Sequence, residues 1–176
     1  KSADAWVRSR ADEFNFDENR VAIGGASAGA HLALMAAFTQ GEKEFAAGDA
    51  ETDKINIVLS LCGVSDLPDF FMHLPKNEYT GTFMGGTYGR IPDKYAAASP
   101  INRVKKGLPP VLFLHGNMDE AVPYAQSVEL HRKLIKYGNV AEVEIYDGKD
   151  HGWCMRPPDF MKVMYKMEEF LLKYFK

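Results

Sequence analysis

The sequence predicts an α/β domain built on a mostly parallel sheet with helices on both faces. Three observations lead there. Val21-Ala22-Ile23-Gly24, Ile57 to Leu61 and Pro110-Val111-Leu112-Phe113-Leu114 are short, nearly continuous apolar runs, the pattern of strands buried on both sides. Helical stretches alternate with these runs along the chain, which favours parallel pairing through crossover helices. Each run also ends in a loop of polar and glycine residues, where open α/β sheets gather their functional groups. A length of 176 residues suits a single domain, 1–176, with a sizeable core.

Taken in order, the pattern reads as helix 3–14, strand 21–26 and a helix over 28–39 rich in Ala, Leu and Met. Strand 55–62 follows. The connection 63–108 is too long for an idle loop, so short helices are expected within it. It reads as a cap-like insertion near the mouth of a site. Phe70, Phe71, Met72, Leu74 and Phe83 would line a lid or acyl pocket, or equally pack the insertion onto the body. Strand 111–115 leads to helix 123–137, with Pro123 suited to a first helical turn. Ala141-Glu142-Val143-Glu144-Ile145-Tyr146 alternates as a half-buried strand should, and helix 158–175 closes the chain.

Gly25-Ala26-Ser27-Ala28-Gly29 stands at the junction of the first strand and the second helix. That strand, sharp turn and helix is the context a G-x-S-x-G nucleophile elbow requires. Such a turn holds the serine backbone in a strained conformation and lifts its hydroxyl above the sheet edge. Flanking glycines let strand and helix approach without a Cβ clash. The amides opening the helix, Ala28 first, point at developing negative charge and make Ala28 the candidate oxyanion donor. Alone, the pentapeptide is weak, because small residues cluster in any Ala- and Gly-rich stretch.

Two later loops strengthen it. His115-Gly116-Asn117-Met118-Asp119 places Asp119 just beyond a strand end, and Asp147-Gly148-Lys149-Asp150-His151 does the same for His151. The chain order Ser27, Asp119, His151 is the nucleophile, acid, base order of one of the three known layouts of this triad. Asp66, in Gly63-Val64-Ser65-Asp66 after the preceding strand, is the rival acid. His31 lies one helical turn after Ser27 and is expected in the core. His115 is expected to shape its loop, and His73 and His131 to lie on loops or the surface.

With those residues in place, the chain resembles the α/β-hydrolase superfamily, in the carboxylesterase branch that includes acetylxylan and feruloyl esterases. The resemblance rests on Gly25 through Ala33, Thr82-Phe83-Met84-Gly85-Gly86-Thr87, Ala98-Ser99-Pro100, His115 through Pro123, and Asp150-His151-Gly152. It implies a serine carboxylesterase acting on short-chain acyl or aryl esters, including esters of plant polysaccharides, through an acyl-enzyme. Ser27, Asp119 and His151 would be catalytic, with Trp153, Phe70 and Phe83 as candidate substrate contacts. A prolyl-oligopeptidase-like peptidase shares the elbow, acid and base; Ala26 and Ala28 beside Ser27 favour the esterase. The family's front half carries a His-Gly-Gly loop that supplies a second oxyanion amide, and this sequence has no such motif. The expectation is therefore either a fragment, with the C-terminal portion of the fold, or a sheet edge covered by a second segment or a second copy. A non-catalytic role in assembly is the alternative from another class.

Composition excludes little else. A net charge of −3 offers no electrostatic case for nucleic acid or an anionic membrane. No apolar run reaches membrane-spanning length. Cys62 and Cys154 do not define a redox compartment, and Cys62 at a strand end reads as a small hydrophobe. No Cys/His spacing suggests zinc, and no glycine-rich loop has a nucleotide site's partners, so no metal or cofactor is expected.

Overall fold

Strands β1 (Ala22–Ala26), β2 (Ile57–Leu61), β3 (Val111–Gly116) and β4 (Ala141–Tyr146) form one sheet in the order β1-β2-β3-β4, every pair parallel. The register aligns Ala26 with Leu61, Leu61 with Leu114, and Gly116 with Tyr146. The loops after β1, β3 and β4 consequently leave the sheet at one end. The computed structural model describes residues 2–45, 54–73 and 78–175.

Alternation along the strands sorts the core into two layers, as the period-2 geometry requires. Val58, Val111, Phe113 and Ala141 face helices α3 (Ala28–Phe38) and α7 (Ala125–Lys136), meeting Leu34, Phe38, Leu130 and Leu134. Ile57, Leu59, Leu61, Leu112 and Leu114 face the other way, toward Val163 and Phe170 of α8 (Asp159–Tyr174). Cover on both sides explains why β2 and β3 are buried along their whole length. Truncating Phe113 to Ala would cost about 3–5 kcal/mol on this ground. β4 is less enclosed, and its Glu142 accepts bonds from Lys173 Nζ at 2.7 Å and Tyr174 Oη at 3.0 Å on α8.

The expected first helix is two pieces, α1 (Ser2–Arg8) and α2 (Ala11–Phe14). Arg8 reaches across to the carbonyls of Glu18 and Lys54, and the chain turns at Ser9-Arg10. Asn15 then ends α2 in the left-handed region, φ 53°, which Asn tolerates better than most residues. Pro123 stands just before α7 rather than within it, its carbonyl accepting the Gln126 amide.

The 63–108 connection contains α4 (Leu67–His73), α5 (Glu78–Met84), α6 (Pro92–Ala97) and a 3-10 turn at Pro100–Arg103. Val64, Leu67, Tyr95 and Val122 form a small core there, against which Phe70 and Phe71 pack. Phe71 and Tyr88 meet the Tyr95 ring edge-on, with centroids 5.7 and 5.5 Å away. Met72 and Phe83 are exposed, Phe83 at 74%; Leu74 lies outside the described residues. Gln126 on α7 fastens the start of this segment: its Oε1 accepts the Ser65 and Asp66 amides, and its Nε2 donates to the Asp66 carbonyl.

Candidate active site

The elbow is built by crowding at one glycine. A Cβ on Gly25 would sit 2.6 Å from the backbone carbon of Gly29, so any larger residue would push β1 and α3 apart. Gly29 differs from the expectation, since a Cβ there would meet nothing within 4 Å; its share of the close approach is its backbone. Between them Ser27 adopts φ 55° and ψ −121°, a region a side-chain-bearing residue occupies only under constraint. The constraint is visible: the Ser27 amide donates to the Leu61 carbonyl at 2.9 Å, and the Ser27 carbonyl accepts the His31 amide at 3.1 Å.

The loops after β3 and β4 are held to one another. A Cβ on Gly116 would lie 2.2 Å from the Lys149 carbonyl oxygen, so only glycine permits this contact. The Met118 amide donates to that same carbonyl at 2.9 Å. Asn117 bridges the two loops, its Nδ2 donating to Asp147 Oδ1 and its Oδ1 accepting the Gly148 amide, both at 2.8 Å. Lys149 Nζ also meets Asp159 Oδ2 at 2.6 Å, in the first turn of α8.

With the loops so fixed, the three expected side chains come together. Ser27 Oγ lies 3.0 Å from His151 Nε2, and His151 Nδ1 lies 2.7 Å from Asp119 Oδ2. The other Asp119 oxygen accepts the amides of Ala121 and Val122 at 2.9 and 2.8 Å. Oδ2 takes a second bond, from His115 Nε2 at 3.1 Å. That nitrogen also faces the Val122 carbonyl at 3.0 Å, while His115 Nδ1 faces Ser127 Oγ at 2.7 Å. Two acceptors facing Nε2 place a proton on that nitrogen.

Charge follows from these bonds. Burial opposes ionisation of Asp119, but the bonds from His115, His151 and the Val122 amide outweigh it and hold the carboxyl well below its ordinary range. The Asp119 carboxylate in turn raises His151 above 6.5, more than partial burial lowers it. Carboxylate and imidazole thus favour an imidazolium that forms at His151.

The remaining candidates fall elsewhere. Asp66 Oδ1 accepts the Asp69 amide at 3.1 Å at the start of α4, an N-cap contact. His31 Nε2 is bonded to the Ala98 carbonyl at 2.8 Å, and burial lowers its pKa. Trp153, a candidate substrate contact, is 2% exposed and stacks on Tyr146 with centroids 4.2 Å apart; it is a core residue because β4 and α8 close over it. Phe70 packs against the small core of Val64, Leu67, Tyr95 and Val122, and among the described residues Phe83 joins none of the apolar clusters. Ala28 is exposed at the first position of α3, where its amide has no partner four residues back. His115, Asn117 and Gly116 were legible only as loop formers, though the four-residue step from His115 to Asp119 was there to be read.

The sequence profile of the BD-FAE family matches residues 1–134. Esterase LipC of Mycobacterium tuberculosis is 30% identical over 162 residues, spanning 87% of this chain and 40% of that protein. Among solved structures, a truncated carbohydrate esterase from gut microbiota superposes with a TM-score of 0.80 at 27% identity, covering 98% of this chain and 65% of the other. Esterase 2 of Thermogutta terrifontis with propionate bound gives 0.77 at 26%, covering 98% and 62%. The same enzyme phosphorylated by paraoxon gives 0.76 at 25%, covering 98% and 60%. The chain therefore spans about two fifths of LipC and about three fifths of these structures.

Proposed function

The chain belongs to the BD-FAE family and has the α/β-hydrolase fold, and from that premise we propose that it carries the nucleophile, base and acid of a serine carboxylesterase. The observation that supports this most is the unbroken hydrogen-bonded line from Ser27 Oγ through His151 to Asp119 Oδ2. His151 Nε2 takes the hydroxyl proton as Ser27 Oγ attacks the ester carbonyl carbon. Asp119 fixes the ring with its proton on Nδ1 and stabilises the imidazolium. The Ala28 amide donates to the oxyanion, the kind of contact worth about 10²–10³ in turnover. The imidazolium then protonates the departing alkoxide, and a water activated by the same nitrogen releases the acid from Ser27.

Short acyl or aryl esters are the proposed substrates, with plant-polysaccharide esters as the natural class. Small ester substrates agree with the propionate held by Thermogutta terrifontis esterase 2. A second copy or second segment is proposed to cover the outer edge of β1, which has no strand partner among the described residues. A monomeric mass in solution with no further segment attached would contradict that. None of the described helices is long and apolar enough to cross a membrane.

Paraoxon tests the chemistry covalently. The expected result is one diethylphosphoryl group per chain, located by peptide mass spectrometry on Ser27. Labelling that is absent, or that lands on another residue, would overturn the assignment.

A further inference from the structure

A nucleophilic side chain that the proposed reaction does not use lies beside the His151–Asp119 pair. Cys62 directly follows β2, is buried, and has φ 42°, a conformation side-chain-bearing residues rarely adopt. The neighbouring Cys154 side chain lowers the Cys62 pKa below the ordinary thiol range, against the opposing effect of burial. The Cys62 sulfur, one carboxylate oxygen of Asp119 and one ring nitrogen of His151 all lie within 4.8 Å of one another.

We propose that Cys62, Asp119 and His151 form a binding site for a thiophilic divalent cation of the zinc class, and that its occupation arrests the Ser27 hydroxyl's base. The inhibitory half of this rests on the proposed esterase reaction; the site itself rests only on the cluster. Zinc binds sulfur at about 2.3 Å and nitrogen or oxygen at about 2.0–2.2 Å, which sets neighbouring ligand atoms roughly 3–4 Å apart. To meet that spacing, the His151 Nδ1–Asp119 Oδ2 pair would open from 2.7 Å and the Cys62 sulfur would close from at most 4.8 Å. A thiolate with an imidazole selects zinc-like ions over magnesium or calcium, which prefer all-oxygen sites. Thiolate and carboxylate together also balance the ion's two charges in a largely buried setting. No spacing in the sequence signals this, because the three ligands come from three separate strand-end loops.

The proton balance explains the inhibition. The Cys62 thiol releases its proton to solvent and forms the metal–sulfur bond. The proton on His151 Nδ1, which faces Asp119, gives way to the cation and is replaced by one on Nε2. One proton leaves per cation bound, and nothing is oxidised or reduced. An imidazole protonated on Nε2 cannot accept the Ser27 proton, so the nucleophile is left without its base.

Cobalt(II) is the probe, because a cobalt–thiolate bond produces a near-ultraviolet charge-transfer absorption that needs no ester hydrolysis to observe. Titrated into the reduced protein, it should saturate at one ion per chain, and zinc should displace it. Cys62→Ser should abolish the absorption, whereas Cys154→Ser should keep it. His151→Ala should keep the sulfur bond and weaken binding by more than about 10-fold, because loss of even an outer-shell partner costs that much. In the hydrolysis assay, Cys62→Ser should need more than about 10-fold the zinc that halves wild-type turnover to halve its own, since even an outer-shell group is worth that much. Cobalt absorption without any esterase activity would uphold the site and reject the proposed function. A folded wild-type protein without the absorption, or the same absorption in Cys62→Ser, would overturn the site.

Discussion

His115 and Asp119 share a fully buried contact, imidazole Nε2 to carboxylate Oδ2 at 3.1 Å, on the oxygen that also accepts from His151. Asp119 is thus oriented from behind by one histidine while it orients another. His115→Ala should reduce turnover about 10–100-fold, the worth of a hydrogen bond to a charged group. It should also cost about 1–3 kcal/mol of stability, since Ser127 and Val122 lose a buried partner. Steady-state kinetics and urea unfolding of the same variant separate the two effects. Unchanged kinetics would show that the Ala121 and Val122 amides position Asp119 unaided.

The direction of the His151 shift fixes the pH profile. The Asp119 hydrogen bond raises its pKa above 6.5, and the base works only when neutral. Activity should therefore rise with pH and reach half its plateau above pH 6.5. Asp119→Asn removes the carboxylate, so the residual activity should reach half-plateau at lower pH than in the wild type. A profile of kcat/KM from pH 5 to 9 checks both, and a flat one would count against His151.

Asp119→Asn and Asp66→Asn distinguish the two carboxylates. The former should leave the fold in place and lower turnover about 10⁴-fold, as loss of the acid does where the imidazole tautomer depends on it. The latter keeps a capping oxygen at α4, because Asn caps a helix about as well as Asp, and should leave stability and turnover nearly unchanged. The reverse pattern would move the acid to Asp66.

Much of this arrangement was legible because apolar runs and strand-end loops report on one-dimensional spacing. Val111 to Leu114 and Ile57 to Leu61 are buried on both faces, so their strands were visible without tertiary knowledge. The elbow was visible because Gly25 meets the Gly29 backbone, and that requirement is written into adjacent residues. Other features depend on contacts between distant residues. The break at Ser9-Arg10 accompanies Arg8 reaching the carbonyls of Glu18 and Lys54. Trp153 follows His151 by two residues, yet packs on Tyr146 and under α8, which no spacing reveals. The convergence of Cys62 on His151 is likewise a product of strand order, not of sequence proximity.

Gly116 offers a test of how the loops are held. Its missing Cβ leaves room for the Lys149 carbonyl two residues before His151. Gly116→Ala should destabilise the protein by about 1–3 kcal/mol, as overpacking does. It should also lower kcat more than it raises KM, because the base and acid loops are forced apart while the substrate surface is untouched. Thermal unfolding with kinetics at saturating ester measures this; wild-type values in both would show that the loops tolerate the displacement.

The proposed esterase reaction makes Ser27 a nucleophile served by His151 and Asp119. Hydrolysis of a short aryl acetate by the protein, beside its Ser27→Ala variant, tests it most directly. Turnover that rises with enzyme concentration and is lost in the variant is the predicted result. Equal rates in the two proteins, with both shown to be folded, would contradict it.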